Sequence, residues 1–244
     1  YDKVRPEYPN ALYDDILTYK PLGKSSRIFE IGIGTGKATQ FFVDLGCQIA
    51  SVEPGPKMAK FVRNKYKDYD DFSCYNMTFE KYMGMNNTFD LIYSATAFHW
   101  LDQKTAFEKS FKLLKSDGVL ARFAYHAGRD TSHPELMAEI DKLYAEYMPS
   151  DKEYKPYSEN EAKEAAFLAV DYGFTDIQYK IYKKGHCIII TNIIIEIIRI
   201  VISNYFPQKI LLLYALTLSF HVTNCLIFYL YCCIMILEVI ICCK

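Results

Sequence analysis

Charge of either sign is not in excess in this 244-residue chain: 28 Lys and Arg against 29 Asp and Glu leave a formal charge of -1. Without a basic surplus there is no electrostatic ground for a nucleic-acid partner, and none is expected. Patterned cysteine is missing too. Cys47 and Cys74 are isolated, while Cys232-Cys233 and Cys242-Cys243 are adjacent pairs rather than C-x-x-C. That spacing writes neither a zinc site nor a redox motif, and no metal is expected. No charged-then-apolar leader follows Tyr1, so the chain reads as a piece of a cytoplasmic protein with reduced thiols.

Glycine is absent, and carboxylates are scarce, at one end only. All eleven glycines lie at or before Gly185, and beyond it the only acidic residues are Glu196 and Glu238. The same final 59 residues hold sixteen isoleucines and six of the eight cysteines. Residues 1–185 therefore read as a globular domain, and residues 186–244 as an atypical Ile/Cys-rich hydrophobic tail.

Within residues 1–185, strand-like and helix-like runs alternate. Asn10 can cap a helix with Leu12, Ile16 and Tyr19 on one face. Strands are predicted over residues 27–31, 48–52, 72–75, 89–94, 119–125 and 177–182. Helices are predicted over residues 38–45, after Pro56 with Ala59, Val62 and Tyr66 aligned, and across Phe107, Phe111 and Leu114. Ser132-x-x-Glu135 and Ser158-x-x-Glu161 are capping-box patterns, with Pro134 in a first turn and Gly173 placed to end the later helix. "KSDG" predicts a turn before the strand at residues 119–125. This alternation predicts an α/β, Rossmann-like, doubly wound parallel sheet, with ligands beyond the carboxyl ends of its strands.

The first strand opens into "RIFEIGIGTGKATQFF" (residues 27–42), a glycine-rich turn open to three interpretations. A phosphate-binding loop would need glycine where Ile31 stands and a hydroxyl where Ala38 stands. A dinucleotide fingerprint would need a third glycine where Lys37 stands. The pattern E-x-G-x-G-x-G is met by Glu30, Gly32, Gly34 and Gly36.

On that pattern, and on four further segments in order, the chain resembles the class I S-adenosylmethionine-dependent methyltransferases, in the branch that acts on small molecules (methyltransferase type 11-like). "SVEPGPKM" resembles the segment after that family's second strand, with Glu53 lying 21 residues beyond Gly32. "FDLIYSATAFHWLD" resembles the fourth-strand segment and "LLKSDGVLARF" the turn and fifth strand. "YDKVRPEYP" resembles the branch's N-terminal segment. The likeness covers roughly residues 1–182 and implies methyl transfer from S-adenosyl-L-methionine to a small-molecule acceptor by in-line displacement.

The resemblance also implies roles. Gly32, Gly34 and Gly36 let the backbone approach the cofactor, and Glu30 meets its cationic methionine end. Glu53 accepts the ribose hydroxyls, for which a charged acceptor makes the stronger bond. Met58, Phe79 and Glu80 enclose the adenine, and Ser94 and Ala95 lie by the methionine moiety. His99 is the candidate base where an acceptor must lose a proton. Arg5, Tyr8 and Trp100 are candidates for the substrate side.

After Lys184 the likeness stops, and the family's closing strand is expected to be missing or replaced. From residue 210 to residue 237 the chain has 28 residues without a charge, enough for a membrane span of about 20 residues. Membrane association is expected only through that stretch. The tail reads as such a segment, as the product of a shifted reading frame, or as an unusual but real core or interface segment. Two alternatives to a cytoplasmic enzyme follow: a non-catalytic cofactor-binding remnant, or a membrane-tethered methyltransferase acting on a lipid or quinone.

Overall fold

Apolar runs become the strands of one sheet. The computed structural model describes residues 7–127, 134–147, 157–185 and 234–244. In chain order the elements are α1 (Asn10–Tyr19), β1 (Arg27–Ile31), α2 (Gln40–Asp44), β2 (Gln48–Val52), α3 (Pro56–Lys65), β3 (Phe72–Tyr75) and β4 (Phe89–Ala95). They continue with α4 (Gln103–Leu113), β5 (Leu114–Ala127), α5 (Pro134–Tyr147), α6 (Glu159–Phe167), β6 (Thr175–Gly185) and β7 (Ile234–Cys243). The chain divides into two compact units. The first takes in Tyr1–Tyr125, Glu159–Ile181 and Glu238–Lys244; the second takes in His126–Ser158 and Tyr182–Leu237. In the second, the His126 and Tyr157 rings stack with centroids 3.7 Å apart.

The seven strands stand in the order β3-β2-β1-β4-β5-β7-β6. β1 pairs in parallel with both β2 and β4, β2 with β3, and β4 with β5. Parallel strands covered on both faces need unbroken apolar runs rather than alternation. β1 and β4 meet that need: the last four residues of β1 and the first six of β4 are buried. Chain order reverses between β1 and β4, which opens a crevice at the carboxyl ends of those two strands.

The predicted helix at residues 38–45 spans Gln40–Asp44 in the structure, and the Thr39 hydroxyl ahead of it donates to Glu30. The "KSDG" turn is a bulge inside β5. Phe89 faces Leu114, but Leu91 faces Val119, so four residues of β5 stand against the single residue Asp90. Gly173 closes the turn after α6 in the left-handed region, at φ 90°. Ser132 and its capping pattern lie outside the described residues.

The slot expected to be missing or replaced holds a strand. β7 lies between β5 and β6. The Lys244 N–H donates to the Gly118 carbonyl at 3.0 Å, and the Cys242 thiol lies 3.6 Å from the Leu120 carbonyl. Residue numbers fall along one strand as they rise along the other, so β7 runs against β5. Val239, Ile240, Ile241 and Cys242 are all buried. Most of the charge-free stretch, residues 210–233, lies outside the described residues. Among those that are described, no helix is long and apolar enough to cross a membrane.

Asp90 ties the starts of β1, β4 and β5 together. It accepts the Arg27 N–H at 2.9 Å and the Lys115 ammonium at 2.8 Å, with Lys20 3.9 Å away. Asp90→Ala is expected to lower the unfolding free energy by about 1–3 kcal/mol, since a partly buried N–H and two cations lose their acceptor together. Lys115→Ala, which removes a side chain 38% exposed, is expected to cost under about 1 kcal/mol. Urea denaturation of both variants checks the ordering.

Candidate active site

At the β1–β4 crevice the chain encloses a cavity of about 460 Å³. Its wall is built first from the turn after β1. Gly32 and Ile33 donate their N–H groups to the Val52 carbonyl at 3.0 and 3.2 Å, which folds the turn onto the end of β2. Gly32 sits at φ 71°, and a Cβ there would meet the Ala97 Cβ at 2.6 Å. Gly34 sits at φ 56° with nothing within 4 Å of its would-be Cβ, so its backbone is open to the cavity it lines.

Glu53, at the end of β2, bridges two turns. One carboxylate oxygen accepts the Gly34 N–H at 2.9 Å and the other accepts the Gly55 N–H at 2.8 Å. Each oxygen has a second lone pair, and the residue borders the cavity. Glu30 lies deeper, in register with Tyr93 of β4. Its Oε2 accepts the Thr39 and Tyr93 hydroxyls, both at 2.6 Å. Burial pushes its carboxyl up to about 7, although the hydroxyl bonds from Thr39 and Tyr93 pull the other way. Among the described residues no cation is paired with it.

Of the residues singled out in the sequence, Glu30, Gly32, Gly34, Glu53, Met58, Phe79, Glu80, Ala95, Tyr8 and Trp100 all border this one cavity. Gly36, Ser94 and His99 do not. The Gly36 carbonyl accepts the Tyr66 hydroxyl at 2.8 Å, and a Cβ there would meet that ring at 2.9 Å, so this glycine lets α3 pack on the turn. The Ser94 hydroxyl donates to the Ile31 carbonyl and joins β4 to β1. His99 is exposed beside Trp100, ring centroids 5.0 Å apart. Arg5 lies outside the described residues.

Several wall residues carry no plain signal in the sequence. Thr96 is a β-branched residue at φ 56°, a conformation that costs about 1–3 kcal/mol and gathers at functional sites. It is held by its N–H on the Phe123 carbonyl at 2.7 Å and by its hydroxyl, 2.9 Å from that of Tyr8. Tyr8 stacks on Tyr125, whose hydroxyl donates to the Glu7 carbonyl, and the Glu7 carboxylate pairs with Lys37 at 2.6 Å. The residues just before α1 are thus fastened to β4, to β5 and to the glycine turn.

Residues 29–122, from β1 through most of β5, match the family model for the methyltransferase domain. An uncharacterized methyltransferase-like protein of Schizosaccharomyces pombe is 26% identical over 196 residues, 79% of this chain and 71% of that protein. A Saccharomyces cerevisiae protein described as a probable S-adenosylmethionine-dependent methyltransferase is 25% identical over 200 residues, covering 76% of this chain and 66% of its own length. Over these spans the chain resembles the S-adenosylmethionine-dependent methyltransferases. Phosphoethanolamine N-methyltransferase 2 of Haemonchus contortus shares the fold, with a TM-score of 0.56 at 18% identity over 96% of this chain and 52% of that one. Its structure was solved with phosphomonomethylethanolamine and S-adenosylhomocysteine.

The cofactor of this family suits the residues present. S-adenosylmethionine carries an ammonium and a sulfonium, and a buried carboxylate with no paired cation suits them. Its ribose has two vicinal hydroxyls, and Glu53 has an acceptor site left on each oxygen. Gly32→Ala, strained by its backbone angle and by the Ala97 contact, is expected to destabilise the fold by about 2–4 kcal/mol. Gly34→Ala, strained by the angle alone, is expected to cost about 1–2 kcal/mol. Urea denaturation reads both, and calorimetric titration with S-adenosylmethionine is expected to show weakened binding in each.

Proposed function

We propose that this methyltransferase moves a methyl group from S-adenosylmethionine to a small-molecule acceptor by in-line displacement, in the cavity between the ends of β1 and β4. One observation carries the assignment of the site: two carboxylates, Glu30 and Glu53, border one cavity beside the glycine backbone of Gly32 and Gly34. Glu53 takes the ribose hydroxyls and Glu30 the cationic methionine end. Gly32 and Gly34 offer backbone without side chains. Met58, half-exposed at the wall, and Phe79 with Glu80 form the adenine end. Ala95 lies toward the methionine end, while Gly36 and Ser94 act by shaping the turn and strand behind it.

The bound cofactor supplies an activated methyl carbon, so the protein's part is chiefly to align the acceptor and exclude water. Tyr8 and Trp100 are proposed for the acceptor side, with Arg5 preceding Tyr8 in the chain. A base is needed only where the acceptor loses a proton, and His99, next to Trp100, is proposed for that step. Among the described lining residues Lys37 is the one cation, and Glu7 neutralises it. That wall favours a neutral or cationic acceptor over a phosphorylated one. A cytoplasmic location is part of the same proposal and is checked by fractionating expressing cells.

Trp100 is the chain's single tryptophan and is 83% exposed where it borders the cavity, so its fluorescence reports on the site. Titration with S-adenosylmethionine is expected to change that emission and to release heat with matching affinity. Glu53→Ala is expected to weaken binding roughly ten- to hundredfold, as loss of charged hydrogen bonds does. A folded wild-type chain that binds no S-adenosylmethionine overturns the assignment.

A further inference from the structure

The Glu30 carboxylate does more than wait for a cation. Both hydroxyls that reach it, from Thr39 and Tyr93, donate to the same oxygen, Oε2. With Oε2 accepting two protons already, an acidic proton on this carboxyl has its place on Oε1. That oxygen makes no hydrogen bond within the described residues, and the residue borders the cavity. The side chain is otherwise closed from solvent, with the whole residue 1% exposed.

The charges and titratable groups around it come from each neighbouring element. Tyr13 of α1 and Tyr93 of β4 are both held above the ordinary phenol range, chiefly by burial and next by Glu30 itself. Cys74 of β3 is raised chiefly by burial, with Glu30 a small contributor. Glu53, at the end of β2, pushes the Glu30 carboxyl up, and Lys65 of α3 pulls it down from a distance while donating to the Thr35 and Gly36 carbonyls. Lys37 is engaged by Glu7. Without a ligand, then, burial and Glu53 outweigh the cation and hydroxyls that would keep Glu30 ionised.

Resting on the cofactor assignment above, we propose that entry of the cofactor's cationic amino-acid end drives a proton off Glu30 into solvent, so that cofactor binding and proton release are one event. The O–H bond at Oε1 breaks, its electron pair stays on the carboxylate, and the ligand's ammonium meets the charge so formed. Recognition is then conditional: a ligand that lacks the amino-acid end fills the adenosine part of the site and leaves the proton where it was.

Calorimetric titration of the full chain at about pH 6.3, in buffers of different ionisation heat, reads the protons exchanged. That pH is chosen because an α-amino group, near 8 when free, is already protonated there. S-adenosylmethionine and S-adenosylhomocysteine are each expected to release more than about half a proton per site, given a carboxyl near 7. 5′-Methylthioadenosine, which lacks the amino-acid end, is expected to release none. Glu30→Gln is expected to abolish the release. Tyr93→Phe, which keeps the carboxyl but removes a donor to its ionised form, is expected to enlarge the release and weaken binding severalfold, and it decides the matter if Glu30→Gln does not fold. Binding of S-adenosylmethionine with no exchange, or equal exchange with methylthioadenosine, overturns the proposal alone. No binding by the folded chain overturns it together with the assignment on which it rests.

Discussion

The hydrogen bonds converging on Glu30 Oε2 are the point on which the site is assembled. Thr39 brings in the start of α2 and Tyr93 brings in β4, so one buried carboxylate joins three elements exactly where strand order reverses. A hydrophobic residue there would pack the strands as well, and without the desolvation penalty of a buried carboxyl. What the carboxylate adds is a potential for cations at the bottom of the crevice. Its isolation from basic side chains is the chemically informative part, because a buried acid built only for stability is ordinarily paired.

Glu53 stands in a different balance. It is engaged through backbone N–H groups, at Gly34 and Gly55, and those bonds settle its direction without using up its acceptors. The two carboxylates therefore divide the labour by environment: the deeper one is poised between its protonated and ionised forms, and the outer one is oriented by two amides. Opposite them the strain at Thr96 is offset by the Phe123 carbonyl and the Tyr8 hydroxyl. That strained residue turns the chain so that Ala97 rests on Gly32, a contact only glycine allows.

Much of this was legible in the order of residues. β2 and β3 fall where apolar runs predict them, and Glu30, the first two loop glycines and Glu53, singled out by the resemblance, border one cavity. Those signals are local to one or two turns of the chain. What stayed hidden depends on neighbours distant in sequence. Gly36 looks like a third loop glycine but answers to Tyr66, 30 residues on. Thr39 falls inside the predicted helix at residues 38–45, yet its hydroxyl donates to Glu30. Tyr93 acquires meaning only when β1 and β4 are adjacent and in register, and no local rule predicts that Thr96 will adopt a left-handed angle. "KSDG" was legible as a turn, yet its work as a bulge depends on Asp90 across the ladder.

The tail shows the same limit from the other side. Its lack of glycine and carboxylates makes it look foreign to an α/β domain, since exposed elements need polar faces. An interior strand obeys a different rule. Between β5 and β6, with a neighbour on each edge and four consecutive residues buried, apolar and β-branched side chains are favoured at every position rather than at alternate ones. For residues 234–243, composition that argues against a surface helix or hairpin thus agrees with an interior slot between β5 and β6. The sheet closes with β7 antiparallel to β5, and the Lys244 ammonium reaches the Leu114 carbonyl at 2.7 Å and the Asn87 side chain at 2.9 Å. The final charge of the chain is therefore anchored beside the bulge held by Asp90. The closing strand and the β4–β5 pair are joined through one end of the sheet, while the residues bordering the cavity stand at the other.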